Sequence, residues 1–183
     1  TYLITANSLG FAYSTDSGDT WTASTIAGAS VAGETSITMD GNNVYISYYD
    51  SGNQLRFVKS TDKGVTWNAP ALIDPAANAG RYNSIKAVGS NIYVSYYDSG
   101  NSALKFAKST NSGTSWTPVT VDNAATSGQF TSLAVDGGNL YISYYQTYTT
   151  ATITTVSRSS NVATITTSVA HGLSTGAYVT ISG

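Results

Sequence analysis

Ser60-Thr61-Asp62-Lys63-Gly64-Val65-Thr66-Trp67 is the middle of three copies of one octet. The others are Ser14-Thr15-Asp16-Ser17-Gly18-Asp19-Thr20-Trp21 and Ser109-Thr110-Asn111-Ser112-Gly113-Thr114-Ser115-Trp116, so the tryptophans stand 46 and 49 residues apart. A second phrase runs in phase with it. Tyr45-Ile46-Ser47-Tyr48-Tyr49-Asp50 returns at Tyr93-Val94-Ser95-Tyr96-Tyr97-Asp98 and at Tyr141-Ile142-Ser143-Tyr144-Tyr145-Gln146, 48 residues apart each time. Two landmarks locked to one period of this size mark a stacked supersecondary unit.

Each octet reads as a hairpin loop. The Asp at its third position is short enough to accept hydrogen bonds from its own loop's N–H groups. The glycine two residues on permits the left-handed backbone that folds the loop. The tryptophan is expected to bury a large apolar area beneath the turn, its indole N–H needing one partner. Asn111 keeps the accepting oxygen without the charge, which suits a structural loop and would spoil a catalytic carboxylate.

Outward from the octets, one period parses into four short strands. Thr35–Asp40 precedes a Gly41-Asn42-Asn43 turn, and Val44–Asp50 is rich in β-branched and aromatic residues. Asp50-Ser51-Gly52-Asn53 reverses the chain, with Gly52 assigned a positive φ; Leu55–Ser60 enters the octet and Thr66–Ile73 leaves it. Four antiparallel strands per 40–50 residues is the blade of a β-propeller. The expected fold is therefore all-β, built of four-stranded antiparallel blades plus a small C-terminal β module.

Residues 1–148 form the blade region: a partial blade at 9–26, whole blades at 34–73 and 82–121, and a half-blade at 130–146. The two end pieces together make one composite blade, hence three in all, and propellers need about four to eight. Either more blades precede Thr1, or several chains complete one ring, or the sheets stack openly. Exposed strand edges at the unfinished blades favour pairing with another chain. The expectation is a homo-oligomer or filament in which one N-terminal hairpin completes a neighbour's C-terminal half-blade. Residues 149–183 form the small module, with short β segments at Thr152–Val156, Val162–Thr167 and Tyr178–Ser182.

Composition excludes several classes. Only 10% of residues are charged, and the net charge is −2 with no basic run, so nucleic acid is not an expected partner. Cysteine is absent and histidine occurs once, so neither a disulfide framework nor a zinc site of those ligands can form within the chain. No apolar run approaches a membrane span of roughly 18 residues. No cofactor and no metal are expected. Asp50-Ser51-Gly52-Asn53 and Asp98-Ser99-Gly100-Asn101 offer too few oxygens for Ca²⁺ and read as turns.

The octets resemble the Asp-box, or bacterial neuraminidase repeat, Ser-x-Asp-x-Gly-x-Thr-Trp. The matching positions are Ser14, Asp16, Gly18, Thr20, Trp21, Ser60, Asp62, Gly64, Thr66, Trp67, Ser109, Gly113 and Trp116, with Asn111 and Ser115 departing from it. The resemblance implies propeller blades and places the box at the blade periphery, away from any active site. A sialidase would further imply an arginine triad, a Tyr–Glu nucleophile pair and an Asp acid. Here only Arg56, Arg81 and Arg158 exist, and Glu34 is the sole glutamate. The tail resembles a β module of phage tail and other virion-associated proteins, through His171, Gly172, Leu173, Gly176, Val179, Ile181 and Gly183, with Ala177 where an acidic residue is usual. His171 lacks a neighbouring acidic or nucleophilic partner and reads as a turn residue.

The resulting expectation is a non-catalytic, surface-exposed structural or adhesive component of a virion, tail fibre or extracellular filament. It acts by assembly and contact at an extracellular or virion surface. The alternatives are a fragment of a sialidase-like glycoside hydrolase and a glycan-binding lectin propeller. Alternation places Tyr45, Ser47 and Tyr49 on one strand face, Ile46 and Tyr48 on the other. Most are expected in the core, while Tyr49, Tyr97 and Tyr145 are the candidates for touching a cell-surface glycan.

Overall fold

The computed structural model describes residues 7–124, 126–147 and 153–167. The chain divides into two compact units, Thr1–Gln146 and Thr147–Gly183. The first contains eleven strands and no helix among its described residues. Strands β1 (Ser8–Tyr13) and β2 (Thr22–Asp40) flank the first octet. The next blade is the second half of β2 with β3 (Asn43–Asp50), β4 (Leu55–Ser60) and β5 (Ala71–Asp74). The third is β6 (Ala79–Val88), β7 (Asn91–Asp98), β8 (Ala103–Ser109) and β9 (Thr117–Asp122), ordered β6-β7-β8-β9. A two-stranded sheet follows, β10 (Thr126–Asp136) with β11 (Asn139–Thr147). Every pairing with a defined register is antiparallel. The all-β, blade-by-blade architecture is thus the one the period predicts.

β2 departs from the expected segmentation. It runs unbroken for 19 residues, its first half paired with β1 and its second with β3, with a register shift between Val31 and Thr35. No proline or tight turn interrupts Thr22–Asp40, whereas Pro75 ends β5 before β6 begins. β5 in turn is shorter than expected, because Pro70 removes a ladder donor just before it. Asn68 fills part of the gap, its N–H donating to Lys59 O at 3.0 Å.

The glycine-rich turn between β3 and β4 also differs. Asn53, not Gly52, takes the left-handed conformation (φ 62), and Ser102 does so in the next blade. Asp50 Oδ1 accepts from the N–H groups of Gly52 and Gln54, each at 2.9 Å. A Cβ on Gly52 would stand 3.2 Å from that same oxygen. The glycine is there for close approach rather than for its φ.

Between blades the apolar faces form two successive cores. Leu9, Phe11, Ile26, Val44, Ile46, Tyr48 and Val58 pack the first two blades together. Tyr45, Leu55, Phe57, Ile85, Ile92, Val94 and Tyr96 pack the next two. β3 therefore feeds one core with Tyr45 and the other with Ile46 and Tyr48, as a strand covered on both faces must. Polar ties repeat at the blade spacing. Ser36 Oγ accepts from Ile85 N at 3.2 Å, and Ser84 Oγ accepts from Leu133 N at 3.1 Å. Tyr96 donates to Asp74 Oδ2 at 2.6 Å, and Lys105 Nζ reaches the same oxygen at 2.5 Å.

In the second unit, β12 (Ile153–Ser159) pairs with β13 (Val162–Thr167). Ser160 and Asn161 both have positive φ (51 and 64), the signature of a two-residue type I′ turn. The first strand consequently extends through Ser157–Ser159, which read as a connection in the sequence. The third expected segment and the tail resemblance at His171, Gly172, Leu173, Gly176, Val179, Ile181 and Gly183 lie outside the described residues.

Candidate functional site

The three octets fold alike, each held by its own side chains. In the second, Ser60 Oγ donates to Asp62 Oδ1 at 2.7 Å and accepts from Gly64 N at 2.8 Å. Asp62 accepts from Thr66 N at 2.8 Å and from Thr66 Oγ1 at 2.6 Å. The first repeats this through Ser14, Asp16, Gly18 and Thr20. In the third, Ser115 N donates to Asn111 Oδ1 at 2.9 Å, while the hydroxyl bond reverses and Asn111 Nδ2 donates to Ser115 Oγ at 2.8 Å. The amide preserves the loop because it supplies both an acceptor and a donor. These bonds hold the Asp62 carboxyl down at about 2, Thr66 contributing most, and Asp16 likewise at about 2, led by Ser14.

The tryptophans do not sit beneath their own turns. Trp67 packs edge-on against Phe11 of the preceding blade (ring centroids 5.1 Å apart, planes at 70°), and Trp116 meets Phe57 in the same way (5.2 Å, 71°). Both are half-buried, while Trp21 is 66% exposed. The indole N–H of Trp21 donates to Gly18 O at 3.1 Å, and that of Trp116 has no partner among the described residues. The second and third octets are therefore latches onto the blade before them.

These loops lie far from Glu34. The octet of the second blade begins where Ser60 pairs with Val44, at the start of β3. Glu34 precedes Thr35, which pairs with Tyr48 near the other end. Between Val44 and Tyr49 the strand covers roughly 17 Å at about 3.3 Å per residue. Arg56 and Arg81 do not converge on one site either. Arg56 Nε is bound to Asp50 Oδ2 at 2.7 Å, and Arg81 lies 4.9 Å from the ring centroid of Tyr49. Asp50 and Tyr49 are consecutive and so face opposite sides of β3. Arg158 belongs to the second unit.

At the Tyr49 end the repeat builds something the tyrosine phrases alone do not disclose. In two inner strands a register shift brackets Glu34 and Tyr82, and Phe130 holds the matching position, 48 residues on, in the next blade. Tyr82 and Phe130 are left-handed (φ 51 and 52), a strained state for aromatic residues and one that concentrates at functional positions. The bulges are tied across blades: Asn83 Nδ2 donates to Glu34 O at 3.1 Å, and Thr131 Oγ1 to Tyr82 O at 2.7 Å. Glycines permit the close approach. A Cβ on Gly80 would stand 2.7 Å from Leu55 Cβ, and one on Gly128 2.6 Å from Leu104 Cα.

The outcome is a continuous aromatic row. Tyr82 lies 4.3 Å from Phe130 and 6.2 Å from Tyr97, and Phe130 lies 6.3 Å from Tyr145, all between ring centroids. Phe130 and Tyr145 are 64% and 52% exposed, Tyr97 is nearly buried, and Tyr49 is buried under Arg81. Of the three candidate tyrosines, Tyr97 and Tyr145 join the row, while Tyr49 lies outside it, buried and bonded through its hydroxyl to Asn53 Oδ1 at 3.0 Å. Tyr82 and Phe130 were legible only by aligning Gly80-Arg81-Tyr82-Asn83-Ser84 with Gly128-Gln129-Phe130-Thr131-Ser132. Glu34 Oε2 is shielded from solvent and has no hydrogen-bond partner among the described residues.

No family model matches the chain, and no curated protein matches it. Solved structures do. The sialidase NanB from Streptococcus pneumoniae is 20% identical over 70% of this chain and 22% of its own, with a TM-score of 0.51. The Aleuria aurantia lectin, solved with α-methyl-L-fucoside, is 19% identical over 87% of this chain and 52% of its own (TM-score 0.47). The endo-arabinanase of Bacillus licheniformis is 23% identical over 59% and 45% (TM-score 0.41). The chain thus spans about 22% of the sialidase's length. The likeness shows the fold: the class is an all-β protein of propeller-type blades.

Proposed function

We propose that this chain is a non-catalytic propeller module that contacts carbohydrate through its aromatic row. The observation carrying the reading is the pair Tyr82 and Phe130, left-handed at equivalent positions with rings 4.3 Å apart. The apolar face of a sugar ring stacks on such a surface, and the hydroxyls at its edge find polar groups such as the exposed Tyr145 hydroxyl and Arg81, next in sequence to Tyr82. The chain's one glutamate is separated from the octet carboxylates, and Arg56 and Arg81 have separate partners, Asp50 and Tyr49. These features favour contact over hydrolysis. Of the earlier expectation this keeps the adhesive role, while none of the solved structures named above is a virion or fibre component.

Titration of the isotope-labelled chain with methyl α-L-fucoside, sialyllactose and arabinotriose tests it. At least one sugar is expected to shift the Tyr82 and Phe130 signals. Phe130→Asn, which removes the ring but tolerates left-handed backbone, is expected to weaken that sugar at least about tenfold. Absence of any shift across a glycan array would end the proposal, and release of a cleaved sugar would overturn its non-catalytic part.

A further inference from the structure

We propose that two copies of this chain close one ring, the N-terminal hairpin of each copy supplying the outer half of the other's last blade. β1 and the first half of β2 form an outer hairpin with an octet and, among the described residues, no inner strands beyond it. β10 and β11 form an inner hairpin with no outer strands among the described residues. Residues 9–26 and 130–146 do not pair within the chain among the described strands. The described residues hold two whole blades and two halves, so two copies of them give six blades, inside the range of about four to eight that closes.

The whole blades specify how the halves fit. In them, Tyr45 pairs with Lys59 and Ser47 with Phe57, then Tyr93 with Lys108 and Ser95 with Phe106. The same register sets Tyr141 opposite Tyr13 and Ser143 opposite Phe11 of the second copy. Across the hairpin, Lys63 N donates to Asn42 O and Ser112 N to Ser90 O, each at 2.9 Å. The corresponding pair is Ser17 N and Gly138 O of different copies.

The latch between blades gives an independent sign. The glycine of each octet lies on the previous blade's phenylalanine: a Cβ on Gly64 would stand 2.3 Å from the Phe11 ring, and one on Gly113 2.4 Å from that of Phe57. A Cβ on Gly18 would meet nothing within 4 Å among the described residues, and Trp21 is 66% exposed. The matching vacancy exists on the third blade. A cleft of about 330 Å³ is lined by Phe106, Lys108, Thr110, Ser115, Thr117 and Val119. One blade earlier the same wall, Phe57, Lys59, Thr61 and Thr66, also carries Ser112, Gly113 and Thr114 of the next octet, with Gly113 against the Phe57 ring. In the ring, Ser17, Gly18 and Asp19 of the second copy close the Phe106 cleft, and Trp21 meets Phe106 edge-on.

The test uses the full chain, which has no native cysteine. Tyr13→Cys/Tyr141→Cys places two exposed thiols at a non-hydrogen-bonded pair, where Cα atoms stand about 4.5 Å apart, within disulfide reach. Sedimentation is expected to give twice the chain mass, and mild oxidation a species of two chains. Trp21→Ala, exposed in the single chain, is expected to weaken the dimer at least about 30-fold with unchanged circular dichroism. A monomer at tens of micromolar, a crosslink within one chain, a ladder of higher species, or a Trp21→Ala dimer of undiminished affinity would each overturn the two-copy ring.

Discussion

The second and third octets sit on another blade, and the first does not. All three share the glycine N–H bond to the first serine's Oγ and close on their own side chains, so the loop forms without outside help. Yet Gly64 and Gly113 are pressed against phenylalanine rings while Gly18 meets nothing, and Trp67 and Trp116 are covered while Trp21 is bare. Folding of the loop and latching of the blade are therefore separate events. The first is written within eight residues; the second depends on a partner about 50 residues upstream, or on another chain.

The largest contrast is expected from adding a methyl group. Gly113→Ala suffers both the left-handed backbone (φ 87) and collision with buried Phe57, and should cost about 4 kcal/mol. Gly18→Ala meets only the backbone strain and should cost about 1–2 kcal/mol. Urea unfolding of the two variants separates latch from loop, and equal costs would break the distinction.

A second contrast compares two tyrosine–aspartate ties between blades. Tyr96 donates to Asp74 in a buried site, where desolvation and then the Asp74 bond drive the phenol strongly upward. Burial pushes the Asp74 carboxyl up, but Lys105, Tyr96 and Ala76 N outweigh it and the net direction is down. Tyr144 makes the same bond to Asp122 at 2.7 Å in an exposed setting. Tyr96→Phe should lose about 2 kcal/mol, and Tyr144→Phe no more than about 0.5. Comparable losses would mean that solvent does not distinguish the two junctions.

The smallest effect separates the octets by charge. A carboxyl at about 2 in the folded chain, against 3.8 as its ordinary value, binds fewer protons folded than unfolded. Its stabilisation is present above about 3.8 and is lost as pH falls through about 2. The first two octets are expected to loosen in that window, and the third, with Asn111, is not. Carboxyl NMR titration of Asp62 checks this, and Asp62→Asn should make the second octet as acid-indifferent as the third. An Asp62 midpoint near 3.8 would mean that the Ser60 and Thr66 bonds do not hold in solution.

Much of the fold was legible because it is local and repeated. A loop closed by its own Ser, Asp and Thr side chains, a turn shaped by glycine and a strand rich in tyrosine and valine depend on neighbours a few residues away. What escaped was set by distant atoms. The unbroken β2 could not be told from two strands, since pairing with β1 and β3 decides its length. Tyr82 and Phe130 gave no signal of left-handed backbone, because a bulge holds them there and Gly80 and Gly128 let it approach the previous blade.

Sequence alone determined the blade period, the octet loops and the exclusion of a zinc site built only of cysteine and histidine within one chain, because residue chemistry and short-range geometry suffice for these. Tertiary structure decided which tryptophans are covered, where the arginines lie and which aromatics form a row. Those properties belong to contacts between blades, and contacts across 36 to 49 residues are fixed by packing rather than by local preference.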